Sequence, residues 1–162
     1  DPISLEVFCH CCVVRQLVTA KMRCGLLSPR GPFHCRKENM FTRFILLHTS
    51  HAGNVGAVAR AMKVMGFDDL VLVQPRWPDV LLRPEALERA SGAVDVLEKA
   101  RVVQTWEEAV EEVEYLCASA MTARDFGPPT VEPRTHFSQL VAPHGHAGAP
   151  LRSLGLVFGC ER

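Results

Sequence analysis

Two short stretches carry residue types that could do chemistry. The first is His48-Thr49-Ser50-His51-Ala52-Gly53-Asn54, which follows an apolar run and opens a helical pattern. Exposed amide N–H groups and the helix dipole at such a start favour an anion such as phosphate. Gly53 and Gly56 flank Asn54 there, and Arg60 and Lys63 follow with i, i+3 spacing. A guanidinium in that setting can clamp a phosphate or stabilise a developing alkoxide. Spacing alone favours the plainer reading, in which Arg60 and Lys63 keep one helix face wet. No G-x-G-x-x-G is present, which argues against an ordinary dinucleotide site. The second stretch is Gly159-Cys160-Glu161-Arg162, after the apolar residues 154–158. Gly159 permits close backbone approach to a ligand. Glu161 reads equally well as a carboxylate for substrate or for Arg60, and as a simple exposed loop acid.

Other candidates are weaker. His48 and His51 have no acidic partner near them in sequence, so they read as hydrogen-bonding turn residues rather than metal ligands or bases. His144 and His146 lie in a Gly/Ala/Pro loop and read as exposed. Ser50, Ser119 and Thr122 lack a G-x-S-x-G setting for a hydrolase nucleophile. Cys9 and Cys12 have C-x-x-C spacing, with Cys24, His34 and Cys35 following. The second pair, His34 and Cys35, is adjacent in sequence, which suits tetrahedral zinc poorly. The glutamates of 107–114 read as the solvated face of a helix rather than a metal site. No metal is expected.

These residues need elements to hold them. Residues 44–47, 70–73, 102–103, 115–120 and 154–158 are short apolar runs that suit buried parallel strands. Val55 to Met65 reads as a helix with Val55, Val58, Met62 and Met65 on one stripe, ended by Gly66. Residues 84–90 read as a short helix with Pro84 in its first turn. Ser91-Gly92-Ala93 breaks the pattern. Thr105-Trp106-Glu107-Glu108 is a capping box, and Trp106, Ala109, Val110 and Val113 then line one helix face. A further short helix falls around 136–141. The alternation of strand and helix specifies an α/β fold with a mainly parallel sheet. Ligands in such sheets sit beyond the carboxyl ends of the strands, where the turns at 48–54, 74–76, 121–124 and 159–162 fall.

Composition bounds the class. The chain has 162 residues, 48% hydrophobic and 22% charged, which suits one globular domain. No apolar run approaches a membrane-spanning length. Eighteen basic residues balance eighteen acidic ones, so any nucleic-acid binding must use a local patch. The balance is uneven: residues 1–40 hold six Lys/Arg and three Asp/Glu, and 41–162 hold twelve and fifteen. Residues 1–39 show no sustained period and five of the seven cysteines, and read as a disordered or non-native extension. The remainder, 40–162, reads as a reduced, cytosolic-type sequence.

At 51–63, His-Ala-Gly-Asn-Val-Gly-Ala-Val-Ala-Arg-Ala-Met-Lys, with Met65-Gly66-Phe67 and Leu70-Val71-Leu72-Val73-Gln74-Pro75, resembles the first motif of the SpoU/TrmH branch of the SPOUT RNA methyltransferases. Leu156 to Arg162 resembles the start of its second motif. Residues 90–96, Thr122-Ala123-Arg124 and Val131-Glu132-Pro133-Arg134 are similar to the TrmJ-type subgroup, which methylates ribose 2′-hydroxyls in the tRNA anticodon loop. The resemblance covers 40–162 and implies the N-terminal part of a trefoil-knot methyltransferase domain, in a cytoplasmic homodimer that uses S-adenosylmethionine and RNA and needs neither metal nor membrane. It implies Arg60 as the catalytic arginine with Asn54, Glu161 near the reacting centre, Met121, Thr122, Ala123 and Gly159 against the cofactor, and Lys63 and Arg124 on the RNA backbone. Ribosomal RNA is the alternative substrate, and a non-catalytic RNA-binding module the alternative class. Cys160 departs from the Arg or Pro of the family pattern. A third motif, which closes the knot and the cofactor pocket, is absent from these residues, so they are expected to be inactive by themselves.

Overall fold

The computed structural model describes residues 4–9, 40–120, 130–140 and 151–159. Its sheet has six strands: β1 (Ser4–Cys9), β2 (Phe41–Leu47), β3 (Asp69–Val73), β4 (Arg101–Val103), β5 (Tyr115–Ala120) and β6 (Ser153–Phe158). They run in the order β1-β5-β6-β2-β3-β4, and every pair is parallel. The helices are α1 (Ala52–Met65), α2 (Pro84–Ala90), α3 (Val94–Lys99), α4 (Trp106–Val110) and α5 (Pro133–Leu140).

The strands alternate, but both sides are apolar. Phe44, Leu46, Leu70, Leu72, Leu154 and Leu156 belong to one buried cluster. Ile45, Val71, Val73 and Val157 belong to the other. That is why the strands read as continuous apolar runs rather than as alternation. Crossovers between parallel strands are right-handed, so the direction of each crossover decides which face its helix covers. The steps β2→β3, β3→β4 and β5→β6 move the same way across the sheet. Their helices α1, α2, α3 and α5 all contribute to the first cluster, through Val55, Ala86, Val96 and Phe137. The step β4→β5 moves the opposite way, and α4 packs on the second cluster through Ala109 and Val110.

Two expectations need correction. Ser4–Cys9, inside a stretch read as disordered, forms the edge strand β1, in register with β5 from Ser4 opposite Tyr115 to Cys9 opposite Ala120. The break expected at Ser91-Gly92-Ala93 is present: Ser91 takes a positive φ of 53° and the chain turns once before α3 starts. The helix begun by the Thr105 capping box ends early, at Val110. The box itself forms: the Glu108 N–H donates to Thr105 Oγ1 at 3.3 Å, and the Thr105 hydroxyl donates to Glu108 Oε1 at 2.7 Å.

Arg43 accounts for where α4 stops. This buried side chain on β2 donates through Nη1 to the carbonyls of Ala109 at 3.2 Å and Glu111 at 2.6 Å. Its Nε donates to Asp69 Oδ2 at 2.9 Å. The cation satisfies carbonyls that a longer helix would otherwise use, and Glu112 then turns the chain at φ 65°. Arg43→Met leaves two carbonyls without their donor and Asp69 with only the longer contact to Arg101 at 3.8 Å, and is expected to cost about 3 kcal/mol of stability. Chemical denaturation of the variant against wild type measures this.

Candidate active site at the carboxyl edge

Because all strands are parallel, their carboxyl ends share one edge. Leu47 pairs with Val73, Val73 with Val103, and Leu46 with Phe158, so His48, Gln74, Gln104 and Gly159 leave the sheet at neighbouring positions. His48 and Gln74 both take positive φ, 49° and 44°. The His48 N–H donates to Val73 O at 2.9 Å, and the Gln74 N–H to Val103 O at 3.0 Å. Each strand is thus closed onto its neighbour and the chain is turned sharply outward. An open cavity of about 510 Å³ lies here against the start of α4, lined by Leu47, His48, Val73, Gln74 and Trp106 among others. Asn54 and Arg60 do not line it.

The turn after β2 leads into α1. His51 precedes the helix with extended backbone and makes no side-chain cap bond, and its Nδ1 lies 2.7 Å from Ser50 Oγ. The hydrogen-bonding reading of that histidine therefore holds. The Asn54 N–H donates to His51 O at 3.1 Å, and its side chain is exposed. Helix α1 buries Ala52, Val55, Gly56, Ala59 and Met62. Arg60 lies outside this buried stripe and is exposed. Gly66 ends the helix at φ 72°, with the Phe67 N–H donating to Met62 O at 2.9 Å and the Gly66 N–H to Lys63 O at 3.0 Å. That is the Schellman pattern, which needs a left-handed residue at this position.

Two motif residues turn out to serve packing. A Cβ on Gly56 would lie 2.1 Å from Ala86 O and 2.9 Å from Ala90 N, so Gly56 is where α2 crosses α1 in backbone contact. An anion cradle is not what this glycine supplies. A Cβ on Gly53 would meet only the Arg89 side chain, at 3.4 Å, with Glu85 O at 3.8 Å. Lys63 Nζ donates to Asp95 Oδ1 at 2.6 Å and to Gly92 O at 2.8 Å. It ties α1 to the Ser91–Ala93 turn and the start of α3. Its partners lie about thirty positions away in the chain, so no local spacing signalled them.

The hydrogen bond from Lys63 holds the Asp95 carboxyl below the usual aspartate value. A carboxylate with a lowered folded-state pKa adds stability above its ordinary pKa, and that contribution fades as pH falls through the lowered value. Asp95→Asn is therefore expected to melt slightly below wild type at neutral pH, with the gap closing in acid. A pH series of melting curves checks this.

Gly159 stands exposed directly after β6, and an added Cβ there meets no described atom within 4 Å. Met121, Thr122, Ala123, Arg124, Cys160 and Glu161 lie outside the described residues, as do Cys12, Cys24, His34, Cys35, His144 and His146. Among the described residues, no three His, Cys, Asp or Glu side chains are grouped as a metal site, and no helix is long and apolar enough to cross a membrane.

The profile of the SpoU rRNA methylase family matches residues 42–162. The tRNA (cytidine/uridine/adenosine-2′-O-)-methyltransferase TrmJ of Pseudomonas aeruginosa is 45% identical over 119 residues, covering 74% of this chain and 44% of that protein. Among solved structures, "Probable Methyltransferase from Bordetella pertussis Tohama I" is similar at a TM-score of 0.63 and 42% identity, over 78% of this chain and 73% of that one. TrmJ from Z. mobilis ZM4 is similar at 0.60 and 35%, over 75% and 50%. The chain spans less than half the length of the curated relatives it matches. From its motif residues, its parallel sheet and these similarities together, the chain belongs to the SpoU rRNA methylase family.

Proposed function

We propose that the full-length protein is an S-adenosylmethionine-dependent RNA ribose 2′-O-methyltransferase, acting on tRNA in the anticodon loop. The observation that carries this reading is the division of labour along α1. Its buried stripe is taken up by the sheet and α2, and Lys63 by Asp95, while Arg60 stays exposed outside that stripe. The relatives named as tRNA 2′-O-methyltransferases support tRNA as the substrate. Ribosomal RNA is the second reading, supported by the description of the family itself. The resemblance further implies a homodimer in the cytoplasm.

The chemistry asks little of the protein beyond position and charge. A ribose hydroxyl is a poor nucleophile at neutral pH, and it must meet the methyl carbon in line. S-adenosylmethionine, when bound, supplies a sulfonium methyl. Gly159, with its open backbone, would hold it, together with Met121, Thr122 and Ala123. Arg60 stabilises the negative charge that grows on the 2′-oxygen as its proton leaves. The resemblance pairs Asn54 with Arg60 in the first motif and implies Glu161 near the reacting centre. Arg124 contacts the RNA backbone. Lys63 is a weaker candidate for that contact than its motif position implies, because its ammonium group is shared by Asp95 and Gly92.

The test is incubation of the full-length protein with S-adenosylmethionine and unmodified tRNA, followed by nucleoside mass spectrometry. The expected product is one 2′-O-methylated nucleoside that maps to the anticodon loop. Methylation confined to ribosomal RNA would favour the second reading, and no transfer to either RNA would contradict both.

A further inference from the structure

We propose that Arg76, Trp77 and Arg83 form a contact for the phosphate backbone of the RNA, beside the 48–54 turn; this rests on the RNA methyltransferase reading above. The Arg83 guanidinium lies 4.0 Å from the centroid of the Trp77 ring, and that of Arg76 lies 5.1 Å from it. Trp77 is half-buried and packs against the first core cluster, so the ring is a fixed base for both cations. A guanidinium stacked on an indole is already ordered and partly stripped of water, and its N–H edge remains free to grip a phosphate in two-point fashion.

The placement fits the reaction edge. The N–H of Arg76 donates to Thr49 O at 3.0 Å, which fastens the loop after β3 to the turn that leads into Asn54. Arg83 Nε donates to Asp79 Oδ1 at 3.4 Å. Among the described residues, the terminal nitrogens of Arg83 and the whole Arg76 guanidinium have no hydrogen-bond or ion-pair partner. Glu85 and Glu88 are on the adjacent helix, and neither forms an ion pair with these arginines. Charge supplies the second argument. Residues 41–162 hold three more acidic than basic residues. A polyanion can approach such a domain only where cations are gathered. This aromatic-backed pair is such a place, and an aromatic ring beside arginines also suits a single-stranded loop.

The experiment measures binding of a fluorescent tRNA transcript to the full-length protein by anisotropy across a KCl series. The variants are Arg76→Ala, Arg76→Lys and the double Arg76→Ala/Arg83→Ala. Loss of one phosphate contact is expected to weaken binding about fivefold and lower the salt slope by about one. The double variant is expected to lose more, and Arg76→Lys to restore the slope but not the full affinity. Melting temperature and S-adenosylmethionine affinity should match wild type, which separates a lost contact from a lost fold. The proposal is overturned if the double variant binds RNA with wild-type affinity and slope while the wild type methylates RNA. A wild type that neither binds nor methylates RNA overturns the functional reading, and this contact with it.

Discussion

Gly56→Ala is expected to destabilise the protein by about 2 kcal/mol or more, the largest stability effect of any single methyl group added to α1. The reason is the nature of the obstacle. The new Cβ would meet Ala86 O at 2.1 Å, with Ala86 C and Ala90 N both at 2.9 Å. All three are backbone atoms, so no rotamer change relieves the clash, and α2 must move away from α1. Alanine is the better helix former by about 1 kcal/mol, which offsets part of the cost without reversing it. In a protein of this size the net loss lowers the melting temperature by roughly 6 °C. Gly53→Ala is the internal control. Its Cβ meets a flexible arginine side chain at ordinary contact distance, so the variant should melt at or slightly above wild type. An anion cradle built from both glycines would make the two variants equally harmful to function and neither harmful to folding. Calorimetric melting of the pair separates these accounts.

The contrast between the two glycines shows where sequence reading stops. Local features were legible because their causes are local. The runs at 44–47, 70–73 and 154–158 are apolar on every residue or nearly so, and each is a strand buried on both faces. Gly66 follows the last helical turn and takes the left-handed conformation expected of it. Thr105 and Glu108, three apart, close the capping box. The features that were missed depend on distant partners. Helix α4 stops where Arg43 reaches its carbonyls from 66 and 68 positions away. Lys63 reads as a solvated charge until Asp95, 32 positions on, is folded against it. Gly56 reads only as a weak anion-site signal beside Asn54 until α2 is laid across it. For the candidate site, residue types and spacing alone favoured a bland wet face for Arg60, and only the resemblance of the whole 51–63 stretch singled it out.

Arg60→Ala is expected to have the largest effect on activity. The side chain is exposed on α1 and lies outside its buried stripe, so its removal should leave folding intact. On the proposed reading, what it removes is the charge that meets the forming alkoxide. Loss of one such electrostatic stabiliser lowers turnover by about 100-fold or more. The effect should fall on turnover rather than on cofactor affinity, because the arginine is assigned to the acceptor oxygen and not to the methyl donor. Rescue by Arg60→Lys should be partial, since an ammonium keeps the charge but not the planar two-point grip.

The most direct measurement is therefore single-turnover methyl transfer to an unmodified tRNA by the full-length protein and its Arg60→Ala variant, with melting curves of both recorded in parallel. The account predicts equal melting temperatures and a transfer rate reduced by about two orders of magnitude. A variant that folds like wild type and transfers methyl groups at the wild-type rate would contradict it.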